Sequence, residues 1–243
     1  MSHSTSETGH TINVANFDTL ITYCTALEDK YKPTNEWIKI SNLQVKYDKS
    51  YVLMDGLTAR KQAFDSATND RQTIFEPLET TATSVFNSFI AAGGSAKDID
   101  DLRAINVKIQ GPNYYKSKKQ VEKSDAKSVS TSQQSFVNKA GFFKKMIQFV
   151  ESKSIYNPNE EDIKVDNLWA LHKKMEIANK AVDKQTKLYN EAKNARDKEL
   201  YDEETGLVTL AKLVKNYIKS VFKANSPEFK EINSIAFKVI KNK

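Results

Sequence analysis

Histidine occurs only at His3, His10 and His172 and cysteine only at Cys24, so any nucleophilic or metal chemistry must be assembled from very few groups. His3 and His10 fall in a polar N-terminal stretch. His172 lies on an apolar helical stripe, where a packed or partly exposed side chain is the expectation; a metal ligand there needs a carboxylate or second histidine at helical spacing, and none is read beside it. A lone cysteine excludes internal disulfides and four-cysteine zinc sites, and Cys24 reads as a small buried apolar side chain. The acidic runs at 98–101 and 202–204 sit at expected helix starts, where capping and the helix dipole account for them ahead of a divalent-cation site. No zinc-protease, phosphate-loop, serine-elbow or dinucleotide motif appears. The expectation is therefore a non-enzymatic protein with no cofactor and no indicated small-molecule substrate.

Two stretches could bind something larger. Lys212, Lys215, Lys219 and Lys223 interleave with Leu210, Leu213, Val214, Tyr217 and Val221, a pattern that could touch anionic lipid, nucleic acid or an acidic protein. The commoner explanation is the solvated face of a packed helix. Tyr114 and Tyr115 stand beside Lys116, Lys118 and Lys119, the mixture of aromatics and lysines that single-strand binders use. The uncharged stretch 80–96 carries Val85, Phe86, Phe89 and Ile90, reminiscent of the sheltered head of helical pore-forming toxins. Its Thr, Ser and Asn content favours burial in the protein instead.

The elements that would position these residues follow from a repeat. Tyr31 to Leu43 reappears as Tyr156 to Leu168, with Tyr, Pro, Glu, Ile, Lys, Asn and Leu identical at an offset of 125. The offset is read as continuing upstream (Phe17 with Phe142, Cys24 with Phe149) and downstream (Leu57 with Val182, Phe64 with Tyr189, Arg71 with Arg196). Each copy reads as a first helix, the repeated motif as a helix start with Pro33 or Pro158 in its first turn, a long heptad-patterned helix of about 40 residues, and two further helices. In the last of these, Ile99, Leu102, Ile105 and Ile109 match Phe229, Ile232, Ile235 and Val239 at an offset of 130, so an insertion precedes or enters the third helix of the second copy. The fold expected is all-α: an elongated antiparallel helical bundle with long coiled-coil-like helices, built from two internal repeats of about four helices each. The corresponding segments are a polar tail 1–10, repeat 1 at 11–110, a Lys/Ser-rich linker 111–134, and repeat 2 at 135–243.

Seven Gly, five Pro and 28% charged residues in 243 positions suit a soluble helical protein, and a net charge of +6 permits an acidic partner without demanding one. With no signal sequence or apolar run of membrane-spanning length, cytoplasmic residence is the default expectation, leaderless export being left open. The segments Arg103–Gly111, Tyr156–Leu168 and Val214–Phe222 resemble those of a family of uncharacterised all-helical proteins from Bacteroidota. That resemblance implies a helical fold over nearly the whole chain and no assigned activity. The role expected is structural or protein-interaction, through an unidentified protein partner and with oligomeric state open. The alternatives are a membrane-active, pore-forming-toxin-like protein or a weak nucleic-acid binder acting through the basic helix face.

Overall fold

The structure is a computed structural model that describes residues 8–111 and 135–240. Among the described residues it is all-helical and contains no strand. The helices are α1 (Thr8–Ala26), α2 (Ile40–Phe75), α3 (Leu78–Ala91), α4 (Ala96–Gln110), α5 (Phe136–Glu151), α6 (Val165–Tyr201), α7 (Leu207–Phe222) and α8 (Pro227–Ser234). None is long and apolar enough to cross a membrane. The lysine-rich stretch with Tyr114 and Tyr115, and His3, lie outside the described residues.

The long helices have 36 residues (α2) and 37 residues (α6). No proline interrupts either, and the single glycine, Gly56 in α2, faces open space and so demands no close approach. Their ends differ. Pro77 follows α2 and permits only a short turn before α3, whereas five residues separate α6 from α7 and are organised by Asp202. Asp202 Oδ1 accepts from Thr205 N at 2.8 Å, Thr205 Oγ1 at 3.0 Å and Glu204 N at 3.1 Å. Gly206 closes this turn because a Cβ there would come 2.5 Å from the Asp202 backbone. The spacing of element starts grows from 125 (Ile40 to Val165) to 129 (Leu78 to Leu207), which places most of the insertion in this turn.

The chain divides into two compact units, Met1–Ala63 with Lys187–Lys243, and Phe64–Thr186. In the first unit, Phe17, Leu20 and Cys24 of α1 pack with Leu43, Leu200 and the apolar face of α7, chiefly Leu210, Val214 and Ile218, all within 1% of full burial. In the second, Val85 and Phe89 of α3, Leu102 and Ile109 of α4, and Phe143 and Ile147 of α5 are fully buried around Leu168 and Met175. Burying each such side chain contributes roughly 1.5–3 kcal/mol. These units are a different division of the chain from the two sequence copies. α1 packs on α7 and α5 packs on α3, so the first helix of each copy closes against the third helix of the other.

Several sequence expectations need correction. The polar tail ends earlier, since α1 starts at Thr8 and His10 is buried. The first helices match at an offset of 126 rather than 125: Val14, Phe17, Leu20, Ile21 and Cys24 are buried, as are Ala140, Phe143, Met146, Ile147 and Val150, whereas Phe142 and Phe149 are half-buried. Pro33 and Pro158 precede the helix starts, because each motif first makes a 3-10 turn, Glu36–Ile38 or Glu161–Ile163. Phe64 and Tyr189 are half-buried, in contrast to buried Leu57 and Val182. Finally, the last helix stops at Ser234. Ile235 is extended (φ −66°, ψ 111°) and Val239 is 52% exposed, because other side chains take over the backbone bonding from there.

Candidate functional site

The repeated motif is a pair of equivalent corners. Tyr31 Oη donates to Ile38 O at 2.6 Å, and Tyr156 Oη to Ile163 O at 2.8 Å. Asn42 Nδ2 donates to Glu36 O at 2.7 Å, and Asn167 Nδ2 to Glu161 O at 2.6 Å. Lys39 pairs with Glu36, and Lys164 with Glu161. Each tyrosine thus ties the incoming chain to the start of a long helix, and burial raises both phenols above their ordinary value.

Beside the first corner the symmetry of residue types breaks, and an open groove appears between the start of α2 and the end of α6. It is lined by Trp37, Val45, Lys46, Lys49 and Glu199. Glu199, 6% exposed, receives Lys46 Nζ at 2.7 Å on Oε1 and Lys49 Nζ at 2.6 Å on Oε2. Burial alone would raise its carboxyl, but the two lysines outweigh that and hold it below the usual range. Two cations on one carboxylate leave one positive charge in excess. Lys49, with 63% of its side chain exposed, presents that charge to solvent. Trp37 is 57% exposed, Val45 65% and Val52 67%. At an offset of 125 the second copy has Asp162, Ala170 and Leu171 in place of Trp37, Val45 and Lys46, and the first copy has Ile74 in place of Glu199. The groove chemistry therefore belongs to one unit alone.

The groups with chemical potential elsewhere are committed to structure. Burial pushes the Cys24 thiol up to about 12, against the lowering effect of a hydrogen bond with Tyr31. His10 Nδ1 lies 2.7 Å from Tyr201 Oη in a buried network with Asn13. His172 is buried edge-on to Trp169, and burial lowers its imidazole below the ordinary value. A carboxylate does stand at helical spacing from it, contrary to the sequence reading: Glu176 Oε1 is 4.0 Å from Nε2. That single, exposed carboxylate is too few ligands for a metal, and no group of three or more His, Cys, Asp or Glu placed to hold one occurs among the described residues. Asp98 caps α4 with Ser95 and pairs with Lys153 at 2.6 Å. In the uncharged stretch, Val85 and Phe89 are fully buried and Ile90 is 40% exposed.

Of the four lysines, Lys212, Lys219 and Lys223 are exposed and Lys215 is half-buried. Lys215 turns inward, donating to Asn233 O at 3.1 Å and Ile235 O at 2.5 Å over the Phe237 ring, and burial pulls its ammonium below the ordinary value. Lys219 lies over Phe229. Lys223 caps α7 at φ 72°, ψ 161°, backbone that glycine favours.

Sequence reasoning passed over the Trp37 groove although Trp37 stood inside the repeated motif. The signal was available. An aromatic facing an aspartate in an otherwise matched pair marks an exposed position, and Lys46 and Glu199 facing Leu171 and Ile74 mark a charged pair where the other unit is apolar. The chain matches no protein-family model, no curated protein and no solved structure.

Proposed function

We propose that the chain is a non-enzymatic structural or protein-interaction protein that docks a partner at the Trp37 groove. One observation carries this reading: a largely exposed tryptophan stands beside a lysine pair anchored on a buried carboxylate, in one unit only. The excess positive charge at Lys49 and the apolar surface of Trp37 and Val45 suit a protein segment that presents a carboxylate next to an apolar side chain. Duplication of an ancestral helical unit fits the paired tyrosine and asparagine bonds of the two corners, and antiparallel packing of the long helices fits the division of each between the two units.

A photo-cross-linker placed at Trp37 in the native cell should capture a defined protein, and Trp37→Asp or Lys49→Glu, in a chain cross-linking from the neighbouring exposed Asn42, should abolish that capture. Absence of any Trp37-dependent partner overturns the proposal. Salt-sensitive retention on DNA, or leakage of anionic vesicles, lost when Lys212, Lys219 and Lys223 become Glu, would put the nucleic-acid or membrane reading in its place.

A further inference from the structure

Residues 235–240 leave α8 with no further helix or strand and lie against α1 and α7, held by side chains of those helices and by Tyr201 of α6, which hydrogen-bonds the Ile240 backbone. Asn13, 1% exposed, grips Lys238 from both sides: its Nδ2 donates to Lys238 O at 2.7 Å and its Oδ1 accepts from Lys238 N at 3.0 Å. Asn16 Nδ2 donates to Ala236 O at 2.7 Å, and Lys215 Nζ to Ile235 O at 2.5 Å. Each of these bonds ends on backbone atoms, so the cleft reads an extended chain and not a particular set of polar side chains. Sequence selectivity comes from two apolar contacts. Phe237 stands edge-on to Phe17 at 6.5 Å, and Ile240 lies on Gly9, where a Cβ would come 2.9 Å from its Cδ1.

The residues that occupy the cleft are much less committed than those that form it. Ala236, Lys238 and Val239 are exposed and Ile235, Phe237 and Ile240 only half-buried, whereas Phe17 and Asn13 beneath them are buried. The corresponding stretch of the other copy stays helical to Gln110, so this segment departs from the pattern of the fold. A segment with few buried apolar contacts, held by a handful of bonds, opens far more often than the helices under it.

We propose that the α1–α7 cleft is a docking groove for an extended peptide, occupied in this structure by residues 235–240 as a displaceable strap. The partner it fits is an extended protein segment with an aromatic residue followed three positions later by an aliphatic one, the pattern of Phe237 and Ile240. This surface is separate from the Trp37 groove, and Trp37→Asp leaves it intact.

The test uses the full chain and a fluorescent peptide of sequence Ile-Ala-Phe-Lys-Val-Ile, blocked at both ends. Native-state hydrogen exchange should show the Lys238 amide opening at least about tenfold more often than the amides of Val214 and Ile218, equivalent to about 1.4 kcal/mol. Lys238→Pro removes the strap's N–H bond to Asn13 and restricts the backbone at Phe237, both of which loosen the strap, and should raise peptide affinity at least about tenfold over the wild type. Asn13→Ala added to it should reverse that gain. Phe237→Ala provides a second way of loosening the strap, with far-ultraviolet circular dichroism confirming the fold of each variant. Exchange of the Lys238 amide only at the rate of the α7 amides, or no peptide binding by either folded strap variant, or binding indifferent to Asn13, overturns the proposal.

Discussion

The Lys46–Glu199 pair can be tested against a reference that the protein itself supplies, because the matching positions in the other unit carry Leu171 and Ile74, both half-buried against the second core. Glu199→Ile strands Lys46, only 14% of whose side chain is exposed, without a counter-charge. Breaking a buried pair costs about 3–5 kcal/mol, and the residual exposure of Lys46 reduces that to about 2–3 kcal/mol. Lys46→Leu costs less, about 1–2 kcal/mol, because Lys49 remains 2.6 Å from the carboxylate. The double variant Lys46→Leu/Glu199→Ile removes both charges and restores an apolar pair, so it should fall within about 1 kcal/mol of the wild type. A double-mutant cycle from urea unfolding should therefore yield a coupling of about 2–6 kcal/mol. The pH dependence has a definite sign. The folded carboxyl is held below its ordinary 4.5, so the pair's stabilisation is present above that pH and is lost as pH falls through the lower folded value. The double variant should lack this acid-side loss. Additive single effects, with a coupling below about 0.5 kcal/mol, would mean a water-screened surface pair and refute the reasoning.

Tyr31→Phe and Tyr156→Phe should each cost about 1–3 kcal/mol in denaturant unfolding, since each leaves the acceptor of a buried 2.6–2.8 Å bond unsatisfied. Lys215→Glu should destabilise by about 2–3 kcal/mol, because it sets a carboxylate against two carbonyls, whereas Lys212→Glu should stay within about 0.5 kcal/mol on thermal unfolding. His172 should titrate by NMR with a midpoint below 6.5; because its folded value is depressed, the stability it contributes is complete above that pH and declines as pH falls, and His172→Phe should flatten that decline.

The all-helical class and the long helices were legible because apolar periodicity and the absence of proline are local properties. A start signal before each long helix was legible in the repeated motif, but the 3-10 turn behind Pro33 or Pro158 that Tyr31 or Tyr156 ties down was not. What else escaped depended on atoms far away in sequence. The register of α1 against α5 was misread by one residue, because Phe142 and Phe143 are equally good aromatic matches for Phe17 until burial chooses between them. Lys215 looked like its three neighbours because nothing local announces the carbonyls of Asn233 and Ile235. The extension of the last helix through Val239 followed the apolar spacing faithfully, and failed because Asn13 and Asn16, more than 200 positions earlier, offer the backbone another set of partners. Glu176, at the fourth position after His172, is legible in the sequence as a carboxylate at helical spacing.

The exchange of partners between α1 and α7 sets a timetable for synthesis. Ala26 and Leu207 are 181 positions apart, so at roughly 5–20 residues per second the stripe of Phe17, Leu20 and Cys24 is exposed for about ten to forty seconds before its cover is made. The other unit, Phe64–Thr186, is one continuous stretch and is complete on the ribosome while α1 is still bare. The nascent chain thus carries a finished body and an open apolar helix at the same time, the state in which chains associate wrongly or recruit a chaperone. Slow codons placed anywhere between α1 and α7 should lengthen that exposure and lower the yield of native protein, whereas the same codons after position 222 should matter less.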